Sequence, residues 1–175
     1  GASVRLPAAL CGVVGFRPTI GRYSAAGIIP ISHTRDTAGP ITRTVADARL
    51  LDAIICGHTQ KYIPVKLNEL RIGIPFTLFQ DNLEADVRKE TNRIIAQLES
   101  AGVTLIEENI VDVEKLHNLV SLPIALFEFL QDLSQYLKKY QSSLTILDIF
   151  EGIGSPDVKS LVASQMGAGA ISKKV

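Results

Sequence analysis

The sequence predicts an α/β protein, and three observations carry that prediction. Residues 70–75 read as a buried apolar strand, 84–101 as an amphipathic helix closed by Gly102, and 103–107 as a second strand. A strand-helix-strand unit of this length suits a right-handed crossover between parallel strands. Upstream, Thr44 caps a helix over 44–57, and from Val113 onward the periodicity is helical, so the second half is helix-rich. At 175 residues the chain is long enough for one domain with a sizeable core.

The elements follow in chain order. Val4 to Leu10 can start a short helix, and Cys11 to Phe16 is short and apolar. Residues 18–40, rich in Gly, Pro, Ser and Thr, read as an ordered loop with short strands. Thr44 with Asp47 forms a variant capping box, Val45, Ala48, Leu51 and Ile55 recur at helical spacing, and Gly57 stops the helix, which is expected to pack on a sheet. Residues 58–69 form a polar connector, so the chain divides into a motif-bearing region 1–57, the strand-helix-strand unit 70–107 and a helical region 113–169. Four helices are expected there: 113–120, 123–140, 145–152 and one begun by Ser155 as cap with Pro156 in its first turn.

Composition excludes several functions. Eighteen basic and eighteen acidic residues cancel, so no net charge calls for nucleic acid or an anionic membrane. Residues 1–50 hold six arginines (5, 17, 22, 35, 43 and 49) against Asp36 and Asp47. Spaced this widely, they are expected to hydrogen-bond loop carbonyls rather than to track phosphates. Cys11 and Cys56 make no disulfide framework or thiolate metal site, and no apolar run approaches the ~20 residues of a membrane span. A cytoplasmic chain is the expectation.

Ser3 is the candidate nucleophile. It lies between the tiny residues Gly1 and Ala2 and a helix start, where backbone N–H groups and the helix dipole favour negative charge. A serine hydroxyl needs a base and donors for the oxyanion. Leu6, three residues on, excludes a serine-x-x-lysine pair. His33, His58 and His117 remain conceivable bases, but their settings (a loop, a helix stop, mid-helix) favour structural or solvated roles.

The run Gly1 to Thr19 (GASVRLPAALCGVVGFRPT) closely resembles the nucleophile segment of the amidase signature family, with Ala2 standing where the family usually has a second glycine. Tyr23-Ser24, Gly27 to Pro30, and the block from Asp36 to Asp47 (DTAGPITRTVAD) extend the match. The resemblance implies a mixed sheet covered by helices and a serine-serine-lysine mechanism. In it Ser3 attacks a carboxamide, the backbone N–H groups of Gly1, Ala2 and Ser3 hold the oxyanion, and a bridging serine and a lysine, both upstream of the nucleophile in the family, move the proton. On that reading the chain is an internal piece of an amidase, inactive alone, and the mechanism requires no metal or organic cofactor. Arg5 is expected to brace the nucleophile loop.

The stretch Ile29 to Asp36 (IPISHTRD), together with Leu126 to Leu137 and Ser155 to Val158, is similar to the mandelamide and indoleacetamide hydrolase branch. The implied substrate is a small aryl-substituted carboxamide, cleaved to acid and ammonia. Phe127, Phe129, Leu130 and Leu133 are read as core rather than as substrate pocket. A glutaminase subunit of a tRNA-dependent amidotransferase and a noncatalytic amidase-like scaffold are the alternatives. An open sheet edge is expected to permit homo-oligomers.

Overall fold

The structure, a computed structural model, describes residues 3–58 and 63–167. It divides into two compact units: residues 1–60 with 122–175, and residues 61–121.

In the first unit, helix α1 (Arg5–Leu10) leads into strand β1 (Val14–Gly15), which pairs antiparallel with β2 (Ile41–Thr42) in the register Val14 to Thr42 and Gly15 to Ile41. Pro7 sits in the first turn of α1, where its missing N–H would have had no helical partner. Between β1 and β2 the chain runs through turns and bends with no strand among residues 16–40. The short strands expected there fall at the two ends of the loop instead. Helix α2 (Val45–Cys56) is capped as expected: Thr44 Oγ1 accepts from the Asp47 N–H at 3.1 Å, and Gly57 closes the helix in the left-handed region with φ 68°.

Helix α2 packs on β1 and β2, as expected, although of its apolar stripe only Ala48 is buried. Ala48 and Asp52 are buried, whereas Val45 is 63% and Ile55 51% exposed. The buried stripe follows Asp52 because Arg22 and Tyr23 satisfy its carboxylate, a long-range pairing that no local pattern encodes.

In the second unit, β3 (Arg71–Gly73), α3 (Ala85–Ser100) and β4 (Thr104–Ile106) form the expected crossover. The strands are parallel, with Arg71 opposite Thr104 and Gly73 opposite Ile106. Both are shorter than predicted, although two further bonds, Thr104 N–H to the Leu70 carbonyl at 2.9 Å and Ile74 N–H to the Ile106 carbonyl at 2.8 Å, continue the ladder beyond each end. Arg88, Thr91, Ile95 and Leu98 make the half-buried stripe of α3, and Gly102 turns the chain into β4 at φ 89°. The two strand directions of a mixed sheet thus occur in two separate ladders among the described residues.

Helix α4 (Val113–Lys139) is continuous where two helices are expected, with Pro123 inside it. An internal proline removes one helical N–H and costs about 3 kcal/mol. The helix runs on because Glu128 and Leu133, both buried, anchor the stretch after the proline. Pro123 has no N–H to donate to the Leu119 carbonyl, and Leu119 itself is exposed. Helix α5 (Ile146–Glu151) starts with a full Thr145–Asp148 capping box, and α6 (Pro156–Met166) with Ser155 as cap. No helix among the described residues is long and apolar enough to cross a membrane.

Candidate active site

Ser3 lies exposed in the turn that leads into α1. The candidate oxyanion donors at Gly1 and Ala2 fall outside the described residues. The ground beneath α1 is built from glycine: a Cβ on Gly15 would stand 2.6 Å from the Ala8 Cβ and 2.7 Å from the Val4 carbonyl oxygen. Strand β1 can therefore press against the helix that follows Ser3 only where it has no side chain. The next layer repeats the device, since a Cβ on Gly39 would stand 2.2 Å from the Phe16 carbonyl oxygen, and Phe16 N–H donates to the Pro40 carbonyl at 3.0 Å. The spacing of these glycines follows from three backbone segments stacked in close contact.

A cleft of about 640 Å³ opens beside this stack, lined by Arg5, Gly15, Phe16, Arg17, Ile20 and Arg35. The Arg17 guanidinium donates to the Arg35 carbonyl at 3.2 Å, the kind of contact expected of these arginines. Arg22 departs from that expectation. It grips Asp52 through two hydrogen bonds of 2.6 Å each, while the Tyr23 hydroxyl donates to the same carboxylate at 2.9 Å. The Arg22 hydrogen bonds hold the Asp52 carboxyl at about 2, and burial followed by the Asp52 contact pushes Tyr23 to about 12. Because the folded-state value of Asp52 is depressed, its contribution to stability is present above the unfolded carboxylate range and disappears as pH falls through about 2. Tyr23 behaves in the opposite sense, its contribution ending as pH rises through about 12. Acid titration followed by circular dichroism is expected to show Asp52→Asn removing part of the stability gained between pH 2 and 4, with no effect of the pair's titration near neutrality.

The loop of residues 31–36 is tied to α4 by side chains. Within the loop, Asp36 Oδ2 accepts from the N–H groups of Ile31 at 2.6 Å and Ser32 at 2.8 Å. Across to the helix, the fully buried Ser32 hydroxyl donates to Glu128 Oε2, and Thr34 Oγ1 lies 2.9 Å from both Glu128 oxygens. His33 N–H donates to Asp132 at 2.7 Å, and His33 Nδ1 sits 3.0 Å from both Asp132 oxygens. Burial pushes the Glu128 carboxyl up, yet the Ser32 and Thr34 hydrogen bonds outweigh it and leave the group below the usual carboxylate range. Hydrogen bonding to Asp132 raises His33 above its ordinary value, against a smaller opposing effect of burial.

His33, Glu128 and Asp132 each offer one ligand atom, all within 4.8 Å of one another, and are the residues among those described that could hold a metal ion. Their contacts are already accounted for by hydrogen bonds among themselves and with Ser32 and Thr34. As for the candidate bases, His33 is occupied by Asp132, and His58 and His117 are exposed. Leu133 is buried and Phe127, Phe129 and Leu130 are half-buried, in keeping with a core reading.

The sequence reading missed Asp52, Glu128 and Asp132. One signal was available: an acid within the apolar run LLDAIIC of α2, and two acids four positions apart on the apolar stretch of α4, each face the interior only if a partner waits there. The partners, 29 to 99 positions away in sequence, were not legible.

Three comparisons bear on this arrangement. The family model described as Amidase matches residues 1–174. The indoleacetamide hydrolase of Rhizobium radiobacter is 49% identical over 173 residues, covering 99% of this chain and 37% of the relative. The mandelamide hydrolase of Pseudomonas putida is 41% identical over 161 residues, 92% of this chain and 31% of the relative. This chain therefore spans about a third of the length of these relatives. Among solved structures, a crystal structure of an amidase superposes with a TM-score of 0.75 at 29% identity, over 94% of this chain and 35% of that one. The peptide amidase PAM in complex with the inhibitor chymostatin, at 23% identity and a TM-score of 0.76 over 97% of this chain and 41% of that one, shares the fold.

Proposed function

This chain belongs to the amidase family, and from that premise we propose that the protein carrying it hydrolyses a small aryl-substituted carboxamide to the acid and ammonia, with Ser3 as nucleophile. The observation that carries the substrate class is the 49% identity to an indoleacetamide hydrolase, joined by 41% identity to a mandelamide hydrolase. Both names denote amides of aryl-substituted acids.

The chemistry runs in two halves. The Ser3 oxygen attacks the amide carbonyl and passes its proton to a base. The tetrahedral oxyanion is held by N–H groups at and before Ser3 until the C–N bond breaks and the proton reaches the departing ammonia. Water then adds to the acyl-serine ester and releases the acid. The exposed turn supports this role, because a nucleophile at a helix start must be reachable by substrate and lie where N–H groups are unpaired. The bridging serine and the lysine belong to the same proposal, as residues of the intact protein that this segment does not assign.

The test is ammonia release by the intact protein from indoleacetamide, mandelamide, phenylacetamide and glutamine. Turnover of the aryl amides with at least about a tenfold higher kcat/KM than glutamine is expected, a difference of about 1.4 kcal/mol in transition-state binding. A preference for glutamine would overturn the substrate class, and inactivity on all four would overturn the enzymatic reading.

A further inference from the structure

The loop at 31–36 carries a titratable imidazole, His33, at the point where it meets α4, and the same loop leads into the stack that supports the segment after Ser3. Each step is a contact within the first unit. His33 and Thr34 are held by Asp132 and Glu128 on α4. The Arg35 carbonyl receives the Arg17 guanidinium, Pro40 receives the Phe16 N–H, and Gly39 rests against the Phe16 carbonyl. Gly15, next to Phe16, lies beneath Val4 and Ala8 of the segment that presents Ser3. Close-packed backbone has little freedom to absorb a displacement, so a shift of the loop is transmitted.

From this geometry we propose that His33 is a positioning residue: paired with Asp132, it fixes the loop on α4 and thereby sets the position of the Ser3 helix, in a pH-dependent way. The proposal rests on the amidase reading for its catalytic readout but not for its structural one.

The charged groups facing the His33 ring among the described residues are Asp132 and Glu128 on α4 and Asp36 in its own loop, all acidic. Asp132 contributes the hydrogen bond, and Glu128 Oε2 stands 3.7 Å from Nδ1. The imidazolium form therefore suits the dock best, and the folded-state value lies above the ordinary one. The sign follows from linkage. The contribution of His33 is complete below its unfolded value of about 6.5 and fades as pH rises through the higher folded value. The dock is tightest on the acid side of the ring's own midpoint and loosens on the alkaline side of it. Glu128, buried and bound to Ser32 and Thr34, keeps the loop attached when His33 is neutral, so the change is an adjustment of position rather than release.

The experiment follows the intact protein by two routes. Nuclear magnetic resonance of the His33 ring gives its titration midpoint, and amide hydrogen exchange at 31–36, corrected for the intrinsic rate, gives the tightness of the dock. The pH profile of kcat on phenylacetamide gives the consequence for catalysis. In the wild type, loop exchange is expected to rise at least about tenfold through the ring's midpoint, with kcat falling about threefold or more over the same interval. Asp132→Asn should move the midpoint toward 6.5 and carry both changes with it. His33→Lys, which keeps a cation opposite Asp132, should hold the loop and flatten that limb of the profile. A ring midpoint unmoved by Asp132→Asn, or a kcat profile indifferent to both variants, overturns the proposal while leaving the amidase reading intact. Absence of amide hydrolysis by the wild type defeats the amidase reading instead, and the exchange data still decide whether the dock titrates.

Discussion

Replacing Ser3 by alanine is expected to reduce amide hydrolysis by the intact protein at least about 10³-fold in kcat while leaving the fold unchanged. The two halves of that expectation have different grounds. Loss of the hydroxyl removes the atom that forms the acyl-enzyme, and water attacking in its place would have to use oxyanion donors and substrate contacts built for another geometry. That residual route keeps the loss finite. Stability is spared because Ser3 is exposed in a turn and its side chain makes no hydrogen bond among the described residues. Substrate binding should survive, so KM should change far less than kcat. The measurement is steady-state ammonia release with circular dichroism of the same preparation. Mass spectrometry of an acid-quenched reaction should also show the acyl adduct on the wild-type peptide containing Ser3 and not on the variant. Full activity in Ser3→Ala, or an adduct on a different serine, would remove Ser3 from its assigned role.

The parts of this molecule that were legible in the sequence are those written in short-range chemistry. The Thr44 and Ser155 caps, the Gly57 and Gly102 stops and the parallel crossover each depend on residues a few positions apart, and all stand where the spacing puts them. Two elements read wrongly show where local reasoning ends. Pro123 reads as a helix break, yet α4 continues because Glu128 and Leu133 bury themselves beyond it. The apolar spacing of α2 points to Val45, Ala48, Leu51 and Ile55, yet only Ala48 of these is buried, and Asp52 shares the interior because Arg22 and Tyr23 meet it there. The same reason hid half of the site region. Ser3 and the motif glycines are local signals, whereas the attachment of the 31–36 loop to α4 joins residues 94 to 99 positions apart. A buried carboxylate is a question in the sequence, and only the fold supplies its answer.

Gly39→Ala is expected to cost about 3 kcal/mol of stability and to impair catalysis as a second consequence. The added Cβ would lie 2.2 Å from the Phe16 carbonyl oxygen, 3.2 Å from its carbon and 3.3 Å from the Pro18 Cδ. Two of these are backbone atoms and the third belongs to a fully buried proline, so no flexible side-chain end can swing away. Relief requires the 38–40 turn to retreat from β1, which stretches the Phe16 N–H bond to Pro40 and disturbs the pairing of Gly15 with Ile41. The comparison that isolates packing from conformation is Gly27→Ala. Gly27 has φ 81° and nothing within 4 Å of its would-be Cβ, so alanine there meets only backbone strain of about 1 kcal/mol. Urea denaturation of the two variants should therefore rank Gly39→Ala well below Gly27→Ala in midpoint. Because Phe16 both lines the cleft beside Arg5 and neighbours the Gly15 contact under α1, the first variant should also lose kcat in the folded fraction, whereas the second should not. Equal midpoints would mean that the turn and β1 do not press together as described, and the support assigned to the nucleophile's helix would fall with that contact.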